Sequence, residues 1–404
     1  MISNKLFKKS TKWLSSHWQN LLTTVFIAGL AITTLGLQIS NLSSGQSAIE
    51  TATLAQLSTA PTPTERMVNA PYSIPAYYLG QFLEDPLYGA RVVSVLYALL
   101  ATIVLYFLIK RWFTSQIAII ASLLFITSSW VLAISHQAAP LILLVVAPLL
   151  LIGTLARYVA NKDTEYTTFI LLIMSIAFSA YVPYMFWTIT SILIVLVFIY
   201  KRTFIPFNIK GIILATGLFI VLLAPLAVSL FYFPGQIKDL LGIPMTMPTI
   251  TEYLSNFVHQ FTSLFLFIQP YPELFLAKLP ILDVFSTVMV VLGIYYFIKH
   301  MPKRRELSLF IAITVLLFVI PLSENYLLAM TALIPFIYIL IPSGIFEILK
   351  QWYEIFPRNP IARNVAVVAI VIVVGLATFY NLERFYVSWP NTDATNAAYM
   401  VQSK

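Results

Sequence analysis

The chain has 404 residues, 59% hydrophobic and 10% charged, with a formal net charge of +8 and no cysteine. A soluble domain carries roughly a quarter charged residues, so this composition belongs to an integral membrane protein, and the missing cysteine excludes disulfides and thiolate metal sites. The positive balance forms no basic patch on a soluble face and gives no argument for nucleic acid.

Residues 1–20 are basic, with Lys5, Lys8, Lys9 and Lys12. Eleven apolar runs follow that approach the roughly 20 residues of a spanning helix. They lie near Leu21 to Ile39, Val92 to Ile109, Ile117 to Ser135, Leu141 to Ala156, Thr167 to Tyr181, Met185 to Tyr200, Gly211 to Phe233, Val284 to Ile298, Leu307 to Pro321, Tyr326 to Ile341 and Val365 to Tyr380. The first is long for a signal peptide and no A-x-A-like site follows it, so it is expected to remain as a span.

With the N-terminus cytoplasmic and all eleven runs crossing, the basic clusters fall on one inner side. These are Lys110-Arg111, Arg157 with Lys162, Lys201-Arg202 with Lys210, Lys299 with Lys303-Arg304-Arg305, and Lys350 with Arg358 and Arg363. That is the positive-inside bias. The expected fold is an all-α polytopic membrane protein, N-in and C-out, with a transmembrane domain over 21–380, outer loops 41–91 and 234–280, and an outer tail over 381–404.

Most acids, among them Glu50, Glu84, Asp85, Asp239, Glu252, Glu273, Asp283 and Glu324, fall outside in this topology. Polar chemistry is therefore expected at the outer face. In the first outer loop, Tyr72, Pro75, Tyr78, Leu79 and Phe82 read as one side of a helix lying in the interface. In the second, Leu254, Phe257, Phe261, Leu264 and Phe265 follow helical spacing behind a candidate N-cap, Thr249.

No HxxxH, HExxH or paired-carboxylate spacing appears, and no GxxxxGK[ST] or GxGxxG loop. No cofactor is required by the sequence, although one Glu, a lipid phosphate and waters can hold a divalent cation. Prolines within spans, at Pro148, Pro225 and Pro335, fit a transporter with discontinuous helices, but ionisable residues at mid-span are nearly absent.

Three segments carry a resemblance. PYSIPAYYLGQFLEDPLYGARVVSVLYALLATIVLYFLIKRWF, from residue 71, has a proline-led amphipathic helix and then a small residue and an Arg opening a span. LPILDVFSTVMVVLGI, 279 to 294, opens a span with proline and aspartate, and NLERFYVSWPNTDATNAAY, 381 to 399, forms an outer tail. Together with the order of features, these resemble the GT-C glycosyltransferases that use polyprenyl-phosphate sugars, including the protein O-mannosyltransferases and the aminoarabinose transferases of lipid A.

The resemblance implies inverting transfer of a sugar from a polyprenyl-phosphate carrier to a glycan, lipid or protein acceptor of the cell envelope, at the outer leaflet of a plasma membrane. It makes Glu50, in SGQSAIETATL, the general base on the acceptor hydroxyl; the plain alternative is an acid that solvates a loop or caps a short helix. Family members carry a second acid between the third and fourth spans. Here that stretch is ISHQAAPLILL, with His136 where a basic residue is expected and Leu141 where an acid would fit. Glu84 and Asp85 are the candidate replacements, and their alternative is a charge cluster at a helix end.

Substrate-binding candidates are Arg91 and Arg384, whose guanidinium suits phosphate, followed by Lys238 and His259, with His136 and Gln137 as hydrogen-bond donors. The departure at Leu141 leaves a non-catalytic relative that binds lipid-linked sugars as the alternative, beside a lipid or sugar transporter.

Overall fold

The computed structural model describes residues 25, 29–37, 45–58, 62, 67–160, 166–199, 209–268, 270–276, 278–300 and 304–400. Most of the first expected span falls outside them, and its residues 29–36 are helical and form α1. The regular structure is helical throughout, with no strand among the described residues.

The helices that follow are α2 (Ala48–Gln56), α3 (Ala70–Phe82), α4 (Pro86–Trp112), α5 (Ser115–Thr127), α6 (Ser129–Ser135), α7 (Leu143–Ala160), α8 (Tyr166–Ala180), α9 (Met185–Ile199) and α10 (Ile209–Tyr232). Then come α11 (Gln236–Leu241), α12 (Ile250–Phe265), α13 (Val284–Lys299), α14 (Arg304–Val319), α15 (Tyr326–Ala329), α16 (Ile334–Ile355), α17 (Pro360–Glu383) and α18 (Asp393–Met400).

Among the described residues, five stretches are each long and apolar enough to cross a membrane: Pro86–Trp112, Pro140–Val159, Ile213–Tyr232, Tyr326–Ile355 and Pro360–Ser388. The pair α5 and α6, bent by 59° at its break, makes a sixth. The break frees backbone donors in an apolar setting, and the Asn381 side chain of α17 accepts the Ser129 N–H at 3.2 Å. The expected spans on α8, α9, α13 and α14 fall on shorter apolar helices.

Two parallel helices, α13 and α16, cross backbone on backbone. A Cβ on Gly293 would stand 2.2 Å from the Leu340 carbonyl oxygen, and one on Gly344 would stand 2.2 Å from that of Met289. Small residues at such crossings are the membrane substitute for a hydrophobic drive between helices.

The basic helix ends gather at one end of the bundle. Phe113, just after Lys110-Arg111, meets the rings of Tyr296 and Phe346, Lys299 pairs with Glu347 at 2.8 Å, and the Trp352 indole donates to the Ala362 carbonyl. The positive-inside bias assigns that end to the cytoplasm, and the acid-bearing loops lie at the other.

At the outer end the helix after Asn69 faces differently from the expected stripe. Tyr72, Ala76 and Gly80 form its buried face, and the Tyr72 hydroxyl donates to the Ala90 carbonyl at 2.9 Å. Ile74, Tyr78 and Phe82 face outward instead. In α12, Thr249 is the N-cap as expected, with Glu252 completing a capping box, and Leu264 is buried while Ile250, Leu254 and Val258 are exposed.

Candidate functional site at the outer end

Glu50 is the N3 residue of α2. Its carboxylate accepts from the Ser47 N–H at 3.1 Å while the Ser47 hydroxyl accepts from the Glu50 N–H, a capping box. The same carboxylate takes Arg91 Nε at 2.8 Å and Nη2 at 2.9 Å, and the Ala138 N–H at 3.0 Å. Both residues are sealed, Glu50 at 0% and Arg91 at 4% exposure. Charge-assisted, two-pronged pairs of this kind are strong and directional, and this one ties α2 to α4 and to the turn before α7.

The other predicted residues distribute unevenly. His136 is buried, with Nδ1 2.8 Å from the Leu132 carbonyl, Nε2 3.0 Å from that of Leu37, and its ring against Phe385. Gln137 donates to the Glu273 carbonyl at 2.8 Å. Arg384, also buried, donates to the Pro280 carbonyl at 2.6 Å and so holds the loop leading into α13. Glu84 is exposed with φ +56°, and Asp85 is the N-cap of α4, accepting from the Tyr88 N–H. The guanidinium groups expected to meet phosphate are thus both used inside the protein.

Lys238 and His259 stand beside open space. A cavity of about 340 Å³ lies between the start of α7, the Pro183-Tyr184 turn, the stretch after α11 and Ser323 to Asn325. It adjoins a second of about 530 Å³, with Pro244, Ser323 and Glu324 in both walls. Lys238 Nζ is 3.5 Å from the carbonyl of Met245, a wall residue of the first. The His259 ring contacts Ser255, a wall residue of the second. Asp239, Glu252 and Glu324 line these walls, with no Lys, Arg or His among the described residues that form them. Leu141 lines the first.

One residue absent from the predicted set stands beside Glu50. Glu273 is half-buried, and the backbone N–H groups of Ala48 and Ile49, at the start of α2, donate to its carboxylate. Its Oε2 is buried with no hydrogen-bond partner among the described residues. Burial pushes its pKa up, the two amides pull it down, and the nearby Glu50 charge pushes it up again.

The Glu273 loop is clamped from several sides. Its own carbonyl accepts from Gln137 and, at 3.1 Å, from the Tyr399 hydroxyl of α18, and the Trp389 indole donates to the Pro272 carbonyl at 2.9 Å. Tyr271, two residues before, accepts from Asn325, a wall residue of the first cavity. The loop from Tyr271 to Glu273 thus touches the buried cluster at one end and a cavity wall residue at the other.

No family profile matches the sequence, and no curated protein matches it. Solved structures do match in shape. The chain is similar to the crystal structure of ArnT from Cupriavidus metallidurans bound to undecaprenyl phosphate, with a TM-score of 0.57 at 10% identity, covering 93% of this chain and 76% of that one. The fold is GT-C. The Archaeoglobus fulgidus oligosaccharyltransferase in its apo form is similar with a TM-score of 0.52 at 12% identity, covering 94% of this chain and 56% of that one. At these identities the GT-C likeness rests on the path of the helices.

Glu273 is the residue that sequence reading passed over. It stood among the outer acids with nothing in its own stretch, QPYPELF, to set it apart. Its signal lies in partners 136 and 126 positions away.

Proposed function

We propose that the chain is a membrane glycosyltransferase that moves a sugar from a polyprenyl-phosphate carrier to an envelope acceptor at the outer leaflet of the plasma membrane. The observation that carries this reading is the Glu273 carboxylate, whose buried Oε2 has no hydrogen-bond partner among the described residues, beside the buried Glu50–Arg91 pair. Support for a lipid-phosphate donor comes from the shared fold, since the ArnT structure holds undecaprenyl phosphate.

A general base needs a lone pair aimed at the acceptor hydroxyl. Both Glu50 oxygens are already engaged, each by Arg91 and a backbone N–H, so in this arrangement Glu50 is the anchor of the site, and the base assigned to it from sequence passes to Glu273. In the proposed step Glu273 takes the hydroxyl proton and the acceptor oxygen forms a bond to the anomeric carbon. The bond from that carbon to the phosphate oxygen breaks on the opposite face, and its electron pair leaves with the lipid phosphate. The configuration inverts. Lys238, at the margin of the first cavity, is an exposed cation available to a phosphate there.

A second reading, binding without transfer, is favoured by Leu141, an apolar wall residue where the resemblance calls for an acid. The two are separated by following labelled sugar from synthetic polyprenyl-phosphate donors with the wild type, Glu273→Gln and Glu50→Gln. Transfer by the wild type with a loss of roughly 10²–10⁴-fold in Glu273→Gln supports the reading. Donor binding with no transfer by the wild type supports the binder.

A further inference from the structure

At the basic end of the bundle a cavity of about 660 Å³ opens between α5, α16 and α17. It shares no wall residue with the two outer cavities. Ile117, Ile120, Phe346, Val367, Ile370 and Val371 give it an apolar wall, and Lys350, Tyr353 and Glu354 stand at its polar margin. The exposed guanidinium of Arg363 lies over the Tyr353 ring at 4.4 Å. Lys350 approaches Glu354 only to 3.9 Å, and Glu354 is 64% exposed, so this pair is weak and leaves the ammonium available.

We propose that this cavity binds an anionic glycerophospholipid of the cytoplasmic leaflet, with an acyl chain along the apolar wall and the phosphate between Lys350 and Arg363. The volume is many times the ~30 Å³ share of one water, and apolar cavities stay dry and take up apolar ligands. In a bilayer the apolar ligand at hand is an acyl chain. Basic pockets between spanning helices on the cytoplasmic side select anionic head groups, and two cations at one mouth meet that description. The site is separate from the outer face and independent of any transfer there.

The test is lipid retention by the purified full chain, read by native mass spectrometry after addition of phosphatidylglycerol, phosphatidylcholine with the same acyl chains, or undecaprenyl phosphate. The wild type is expected to hold phosphatidylglycerol over phosphatidylcholine, and Lys350→Ala with Arg363→Ala to lose that preference by roughly thirtyfold, about fivefold for each cation. Val371→Trp, at an exposed wall position, is expected to exclude both glycerophospholipids while leaving the melting temperature in place. Equal retention of the two glycerophospholipids by the wild type overturns the proposal. So does a preference that survives the double substitution, or displacement of phosphatidylglycerol by undecaprenyl phosphate.

Discussion

Arg91 and Glu50, 41 positions apart in the chain, meet in a two-pronged ion pair sealed inside the outer end of the bundle. Breaking a buried pair strands a charge, at a cost of about 3–5 kcal/mol. Arg91→Ala is therefore expected to lower the melting temperature sharply in detergent. Arg91→Lys should recover only part of the loss, because an ammonium has no planar fork to match the carboxylate. The double variant Glu50→Ala with Arg91→Ala should be less destabilised than the two single losses summed, and strict additivity would mean that the pair is not coupled.

Burial raises the Glu273 pKa in the folded protein. A group whose folded pKa is raised stabilises the fold below its unfolded value and loses that contribution as pH rises through the folded one. Deprotonated Glu273 is thus a strained group near neutral pH. Glu273→Gln is expected to melt above the wild type there, and this advantage should disappear as the pH falls to about 4. Melting curves across that range decide it, and a variant less stable at every pH counts against the assignment.

The same carboxyl sets the acid limb of any transfer reaction. A base must be ionised, so kcat/KM should fall with decreasing pH through a value above the ordinary glutamate pKa of about 4.3. The pH profile of the wild type measures this directly, and a limb at the ordinary value would assign the base elsewhere.

At the α13–α16 crossing, the atoms nearest a new Cβ belong to backbone and have little room to yield. Gly293→Ala is expected to cost at least the roughly 1–3 kcal/mol of an overpacked core. Gly375→Ala, with nothing within 4 Å of its added carbon, is the control and should be neutral or slightly stabilising because alanine favours helix. Equal effects in a melting experiment would mean that the crossing is looser than the structure has it.

The chain has no cysteine, so single cysteines report sidedness cleanly. Ser255→Cys on α12 is expected to react with an impermeant maleimide added to intact cells. Gln351→Cys near the end of α16 should react only after the membrane is opened. The reverse pattern would invert the orientation drawn from the basic clusters.

What could be read in advance follows from what each pattern encodes. Hydropathy located the apolar helices, five or six of them long enough to span among the described residues, because apolarity is a property of one segment, and the Thr249 N-cap was readable because its partners lie within one turn. The face of α3 was not, since Tyr72 and Tyr78 are equally at home at an interface and only the fit against Ala90 and Ser94 decides which is buried. Glu50 shows both cases at once. Its capping box was written in adjacent residues and the sequence left capping open as an alternative, while its pairing with Arg91 depends on how α2 docks on α4. The guanidinium of Arg384 reads as a phosphate ligand in the sequence, while its bond to the Pro280 carbonyl depends on a loop 104 positions away.

The clamp on the Glu273 loop carries a consequence for biosynthesis. Tyr399, which fixes the Glu273 carbonyl, is made 126 residues after it. While the ribosome is still feeding the intervening helices into the membrane, the loop reaches the outer surface without the holds that Trp389 and Tyr399 supply. Gln137 and the start of α2 are already made by then, but the loop gains its full set of holds only once α18 has itself been delivered across. A nascent chain halted before that point can have its spans inserted and still lack the Tyr399 and Trp389 holds on this loop.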